Sequence, residues 1–136
     1  MTTIRNELSK KNKYYIGKHR YLELKHFCLQ YPEWKREYYA LDRFIRSVTT
    51  CNIVDGSPTD HTGDLAAKRA ELASKCTLIE NTAQIASEEL SDYILKAVTE
   101  DVSFTKLKTL YDIPCERDMY YDRYRRFFWL LSASRQ

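Results

Sequence analysis

Residues 103–132 read SFTKLKTLYDIPCERDMYYDRYRRFFWLLS. Ser103 is a good helix N-cap, and Phe104, Leu107 and Leu110 follow at three-residue steps. A short helix to about Leu110 is expected, with these three side chains facing inward. Asp112-Ile113-Pro114-Cys115 interrupts it, since proline lacks a backbone donor and forces its predecessor out of the helical region. A longer helix is then expected from about Glu116 to Ser132. Short helix, tight turn of about four residues and longer helix is the spacing of a helix-turn-helix. Ile113 falls where such motifs bury an apolar residue to fix the angle between the two helices.

Projecting the last helix at about 100° per residue separates two faces. Tyr120, Tyr124, Phe127, Phe128 and Leu131 share one arc and are expected to be core. Asp118, Asp122, Arg125, Arg126 and Trp129 lie opposite, flanked by Arg123 and Tyr121, with Arg117 nearer the core edge. The N-terminal part of the second helix of such a motif meets base edges, which makes Arg117, Asp118, Tyr121, Asp122 and Arg125 candidate base readers. Arg123 and Arg126 suit phosphates, and Lys106 and Lys108 on the shorter helix could clamp the backbone beside them. Asp118 and Asp122 oppose this reading, because carboxylates repel phosphate. Trp129 on the outer face points to a partner contact or to packing by the N-terminal segment.

Working outward, the rest of the chain also reads as helix. The 136 residues contain only three Gly and three Pro, too few for the many tight turns of an all-β fold. The fold class expected is all-α, a compact helical bundle of five to six helices ending in the helix-turn-helix. Residues 1–17 form a basic, partly flexible segment whose Tyr14, Tyr15 and Ile16 could dock on the core. Residues 18–136 are expected to make a single helical domain. Within it, 18–50 is a helical hairpin, broken where Tyr31-Pro32 ends one helix and starts the next. Tyr21, Leu24, Cys28 and Tyr31 mark the buried stripe of its first helix, and Trp34, Tyr38, Leu41, Ile45 and Val48 that of its second. A Gly-, Ser- and Pro-containing loop is expected at 51–63, and a central helix at 64–86. Leu65, Leu72, Ile79 and Ala86 on that helix lie seven apart, which suits an antiparallel hairpin within the chain or, alternatively, a homodimer. Ser87 is the expected N-cap of a further helix to about Glu100, which opens the 88–132 helix-turn-helix unit.

Net charge is +3, unevenly spread. Residues 1–26 carry +5, residues 27–115 carry −4 and residues 116–136 carry +2. Basic ends can attract an anionic polymer while the acidic middle confers solubility. Cys28, Cys51, Cys76 and Cys115 are widely spaced without a CxxC pair, the pattern of thiols in a reducing cytoplasm. No stretch has the roughly 20 apolar residues of a membrane span, and the polar N-terminus does not read as a signal peptide.

Two stretches resemble the small phage late-gene transcription regulators of the ArpU and RinA type. One is Ser57-Pro58-Thr59 with Ala67, Arg69 and Thr77-Leu78-Ile79-Glu80. The other is Ile113-Pro114-Cys115 with Asp118-Met119-Tyr120-Tyr121, Arg123, Arg125-Arg126 and Phe127-Phe128. Members of that family share a Pro-Thr loop, a central helix and a sigma-factor-like helix-turn-helix whose Tyr- and Arg-rich last helix ends in aromatics. The resemblance covers about residues 57–132. It implies a sequence-specific regulator, encoded by a phage or prophage, that binds double-stranded DNA in the cytoplasm of a bacterial host.

No glycine-rich phosphate loop, GxSxG or HExxH occurs, so no enzyme, cofactor or metal is expected. His19, Glu23 and His26 share a helix face without a cysteine at zinc-site spacing, and Asp55, Asp60, His61 and Asp64 read as solvated loop residues. Host RNA polymerase or another host protein is a candidate partner. Two alternatives to a regulator are an all-helical interaction module, such as a phage-encoded inhibitor of a host nucleic-acid enzyme, and a DNA binder associated with packaging.

Overall fold

In the computed structural model, residues 12–51 and 60–135 are described, apart from the side chains of 49–51 and 60–62. Six helices occur among them and no strand: α1 (Lys18–Leu29), α2 (Tyr31–Cys51), α3 (Asp60–Ala86), α4 (Ser91–Glu100), α5 (Phe104–Leu110) and α6 (Arg117–Ser134). The expected all-α class is what the chain adopts. It divides into two compact units, one of residues 1–30 and 78–136 and the other of residues 31–77.

In the first unit, α4 packs on α1, α5 and α6, and α1 also packs on α6. The helical periodicity of the sequence locates the core well. Tyr21, Leu24, Phe27 and Cys28 are the buried face of α1, and Tyr120, Tyr124, Phe127, Phe128 and Leu131 that of α6. The Tyr21 and Tyr124 hydroxyls hydrogen-bond at 3.0 Å inside this seam, and the Tyr21 ring meets Phe128 edge-on at 5.0 Å. Arg20 of α1 reaches the far end of α6, donating to the Ser132 side chain and carbonyl, both at 3.1 Å, and to the Arg135 carbonyl. Arg135 in turn places its guanidinium 4.1 Å from the Phe27 ring centroid and donates to Glu23 at 3.2 Å. Glu23 also accepts from Arg20, so the carboxylate between His19 and His26 serves the α1–α6 junction. Ile16 is buried, and Tyr14 lies against Trp129 at 5.6 Å, the docking expected of that segment.

The starts of α3 and α4 and the placement of Leu110 differ from expectation. Of the loop expected at 51–63, residue 51 ends α2 and residues 60–63 belong to α3, which starts at Asp60, while residues 52–59, with Asp55 and Ser57-Pro58-Thr59, lie outside the described residues. Helix α4 starts at Ser91 rather than just after Ser87. The Ser87 hydroxyl accepts from the Leu90 amide at 3.2 Å, which closes a turn over 88–90 before the helix begins; serine offers the backbone this local alternative to a helix. Leu110, expected inward, is 69% exposed, because the helix ends there and the following turn carries Ile113, not Leu110, into the core.

Both sharp elbows of this unit are made by aspartate. Asp101 caps α4 with φ 55° and ψ 47°, and Asp112 follows α5 with φ 51°. Aspartate tolerates the left-handed region better than most residues, which lets a glycine-poor chain turn tightly. Ser103 caps α5 as expected, accepting from the Lys106 amide at 3.3 Å.

The second unit holds α2 and the first part of α3. Trp34, Ile45, Leu72 and Cys76 are its buried side chains. Asp42 accepts from Arg69 at 2.9 Å and Arg46 at 3.0 Å, and the Lys75 ammonium lies 5.1 Å from the Trp34 ring. The two contacts across the pair, 42 with 69 and 34 with 75, run in opposite directions, so the helices are antiparallel, as the hairpin reading requires. Cys28, Cys76 and Cys115 are buried thiols outside any disulfide.

Burial pushes the Cys28 thiol from 9.0 up to about 12, against a smaller opposite pull from Arg135. Burial likewise raises the Tyr120 and Tyr124 phenols. A group whose folded value exceeds its unfolded one contributes stability below the unfolded value and loses it as pH rises toward the folded value. Urea titrations should therefore show stability falling from about pH 9 toward about pH 12, and less steeply in Cys28→Ala. Ile113→Ala, which empties a fully buried site, should cost about 2–5 kcal/mol in the same titration at pH 7.

Candidate nucleic-acid interface

The sequence from α5 to α6 is joined by six non-helical residues, Tyr111 to Glu116, a longer connection than the four expected. Its conformation is fixed from inside. The Tyr111 and Ile113 amides both donate to the Leu107 carbonyl, at 3.2 and 3.1 Å, and Ile113 and Cys115 are buried. The Lys108 ammonium reaches back from α5 to the Ile113 and Cys115 carbonyls, at 3.4 and 3.3 Å. Lys96 of α4 stands 4.6 Å from the Tyr111 ring and 3.3 Å from Glu100. These contacts set where α6 begins.

Helix α6 follows with Glu116 as its extended N-cap and Asp118 in its first turn, where a carboxylate complements the positive end of the helix dipole. The nine residues singled out from the sequence separate into groups. Arg117 is exposed, with its guanidinium 5.7 Å from the Phe104 centroid and 5.6 Å from that of Tyr121. Tyr121 is half-buried among aromatic rings, 5.0 Å from Tyr120, 6.2 Å from Phe104 and 6.3 Å from Tyr124. Asp122 is ion-paired to Arg123 at 2.7 Å, which offsets the charge that argued against a phosphate-facing surface. Arg125 and Arg126 are half-buried and have no ion pair or hydrogen bond to any described residue. Lys106 and Asp118 are exposed. Lys108 is directed to the turn carbonyls.

Trp129 lies on the outer side of α6, 40% exposed, against Tyr14. The face around it thus combines two unpaired guanidinium groups, an aromatic shelf and one neutralised carboxylate. Such a face can hold anionic oxygens with forked donors and stack on planar groups. Among the described residues no three His, Cys, Asp or Glu side chains are placed to hold a metal ion, and no helix is long and apolar enough to cross a membrane.

The sequence reading missed two residues near this face. Lys25 of α1 and Asp101 of the α4–α5 elbow pair at 3.8 Å and line a cleft together with Lys106 and Tyr121. Lys25 is distant in sequence from the helix-turn-helix region, and no local pattern marks its destination.

Removing the Lys108 ammonium leaves two turn carbonyls without their donor. Lys108→Met should lower stability by about 1 kcal/mol in urea titration at pH 7. Comparison of the chain with protein-family models, with curated proteins and with solved structures finds no match in any of the three.

Proposed function

We propose that α5, the 111–116 turn and α6 form a helix-turn-helix that sets α6 against double-stranded DNA. In this reading the chain is a sequence-specific transcriptional regulator of phage or prophage origin, acting in the bacterial cytoplasm as a binder rather than a catalyst. The observation that carries it is the pair Arg125 and Arg126: two guanidinium groups on the outer side of α6 that no described carboxylate neutralises. A buried aromatic arc fixes the opposite side of the same helix. Arg117 and Asp118 in the first turn are the base readers of this arrangement, and Lys106 with Arg126 takes phosphates. Tyr121 contributes by supporting Arg117, and Arg123 by neutralising Asp122. The phage assignment rests on the resemblance carried by Ile113 to Phe128.

A second reading, an all-helical interaction module directed at host RNA polymerase or another host protein, draws on exposed apolar side chains. Leu110 is 69% exposed and Met119 38%, and exposed large hydrophobic residues mark protein contacts when they form a continuous patch. A complex that survives high salt distinguishes it from DNA binding, and promoter against packaging-site fragments separates a regulator from a packaging factor.

Binding to duplex fragments, measured against salt, should weaken steeply as salt rises. Arg126→Ala should lower the slope of log affinity against log salt by about 1 with little change in sequence preference. Arg117→Ala should cost about 1–3 kcal/mol and relax preference at one base pair. Failure to bind any promoter fragment at low salt overturns the reading.

A further inference from the structure

The first unit contains a cleft of about 220 Å³ lined by Lys25 of α1, Ala97, Asp101, Val102, Ser103, Phe104 and Lys106 around the α4–α5 elbow, and by Tyr120, Tyr121 and Tyr124 of α6. Its volume lies below the roughly 300–1,000 Å³ of sites for drug-sized ligands. The cleft is open to solvent on one side, so it can hold part of a larger ligand with the remainder at its mouth.

We infer that this cleft binds a single nucleotide, with the base against Tyr121 and the phosphate taken by Lys25 and Lys106. Three features of the lining point to that ligand. Two ammonium groups from different helices and one carboxylate, Asp101, line the cleft, and the Arg117 guanidinium stands over the rings of Phe104 and Tyr121, which also line it. The surplus of positive charge selects an anion. Four of the ten lining residues are aromatic, and Tyr121 is the one of these that is half-exposed, which adds a planar apolar partner suited to a base. The Lys25–Asp101 pair is long at 3.8 Å, and the Asp101 side chain is 63% exposed. Such a pair contributes little to the fold, and an ammonium with three donors can turn to a phosphate.

Asp101 gives the site a sign that can be tested. Its carboxylate opposes an anionic ligand, while its left-handed backbone conformation is one that asparagine also adopts readily. Asp101→Asn removes the charge and keeps the elbow. The site shares Lys106 and Tyr121 with the duplex reading, but Lys25 and Asp101 have no part in that surface, so variants at these two residues test it separately.

The test is calorimetric titration of the full chain at low salt with dAMP, inorganic phosphate and a short oligo-dT strand, each variant first checked by thermal melting. The expected result is one-to-one binding of dAMP, at least about five-fold tighter than phosphate because phosphate lacks the stacked base. Lys25→Ala should weaken dAMP about ten-fold, and Asp101→Asn should tighten it about three-fold. Arg126→Ala should bind dAMP normally while losing duplex affinity, so the two readings fail separately. Tighter binding of the strand than of dAMP identifies the ligand as a nucleotide within a single strand; the reverse identifies a free nucleotide. No binding of dAMP at millimolar concentration, equal binding of dAMP and phosphate, or an Asp101→Asn variant that does not tighten overturns the inference. The Asp101→Asn gain cannot come from misfolding, so it decides the question even if Lys25→Ala folds poorly.

Discussion

The structure of the first unit depends on the burial of one aromatic arc. Tyr120, Tyr124, Phe127, Phe128 and Leu131 must all leave water together, and α1 and α4 supply the surface that covers them. A helix has a single rotation about its axis, so satisfying this arc also decides what the other side shows. Tyr124 makes the seam specific as well as apolar. A buried phenol needs a partner, and it finds one in Tyr21 at 3.0 Å. Turning α6 by one residue would break that bond and bring Arg125 or Arg126 toward the core.

The same requirement explains how the basic residues are divided. Arg20 and Arg135, which the sequence places at two basic ends, are committed to each other's helices through Ser132, Glu23 and Phe27. Lys108 holds the turn and Arg123 holds Asp122. The net charge of +3 therefore overstates uniformity and understates selection. Five described cations of this unit, Arg20, Lys96, Lys108, Arg123 and Arg135, are tied to the fold, while Arg125 and Arg126 stand on the outer side of α6 and Lys25 and Lys106 line the cleft.

Turning without glycine is the second constraint. Gly17 and Gly63 are not at the elbows of the first unit; Asp101 and Asp112 are. A left-handed aspartate fixes the chain direction and also places a carboxylate at the bend. At Asp101 that carboxylate stands beside Lys25 in the cleft, so a backbone solution carries an electrostatic consequence.

The sequence by itself determined the all-α class, the Ser103 cap, the burial of Ile113, the five core residues of α6 and a helix break beside Pro32, which falls at Gln30 and leaves Tyr31 to open α2 rather than to close α1. Each of these is local or periodic: a cap, a proline or an apolar step of three and four is legible wherever the chain packs. The start of α4 was not legible, because Ser87 can cap a helix or close a turn and the packing of Leu90 and Ile94 chose the turn. Nor was the fate of the charged residues. Periodicity put Lys108, Asp122, Arg123 and Arg126 near the candidate face alike, but only the tertiary structure showed that Lys108 is drawn to the Ile113 and Cys115 carbonyls of the turn and that Arg126 is left without a partner. Lys25 meets Lys106 and Tyr121 through the packing of α1 on α4 and α6. A contact between residues so far apart in the chain leaves no mark in the spacing of either, which is why the candidate surface was visible in the sequence and the cleft beside it was not.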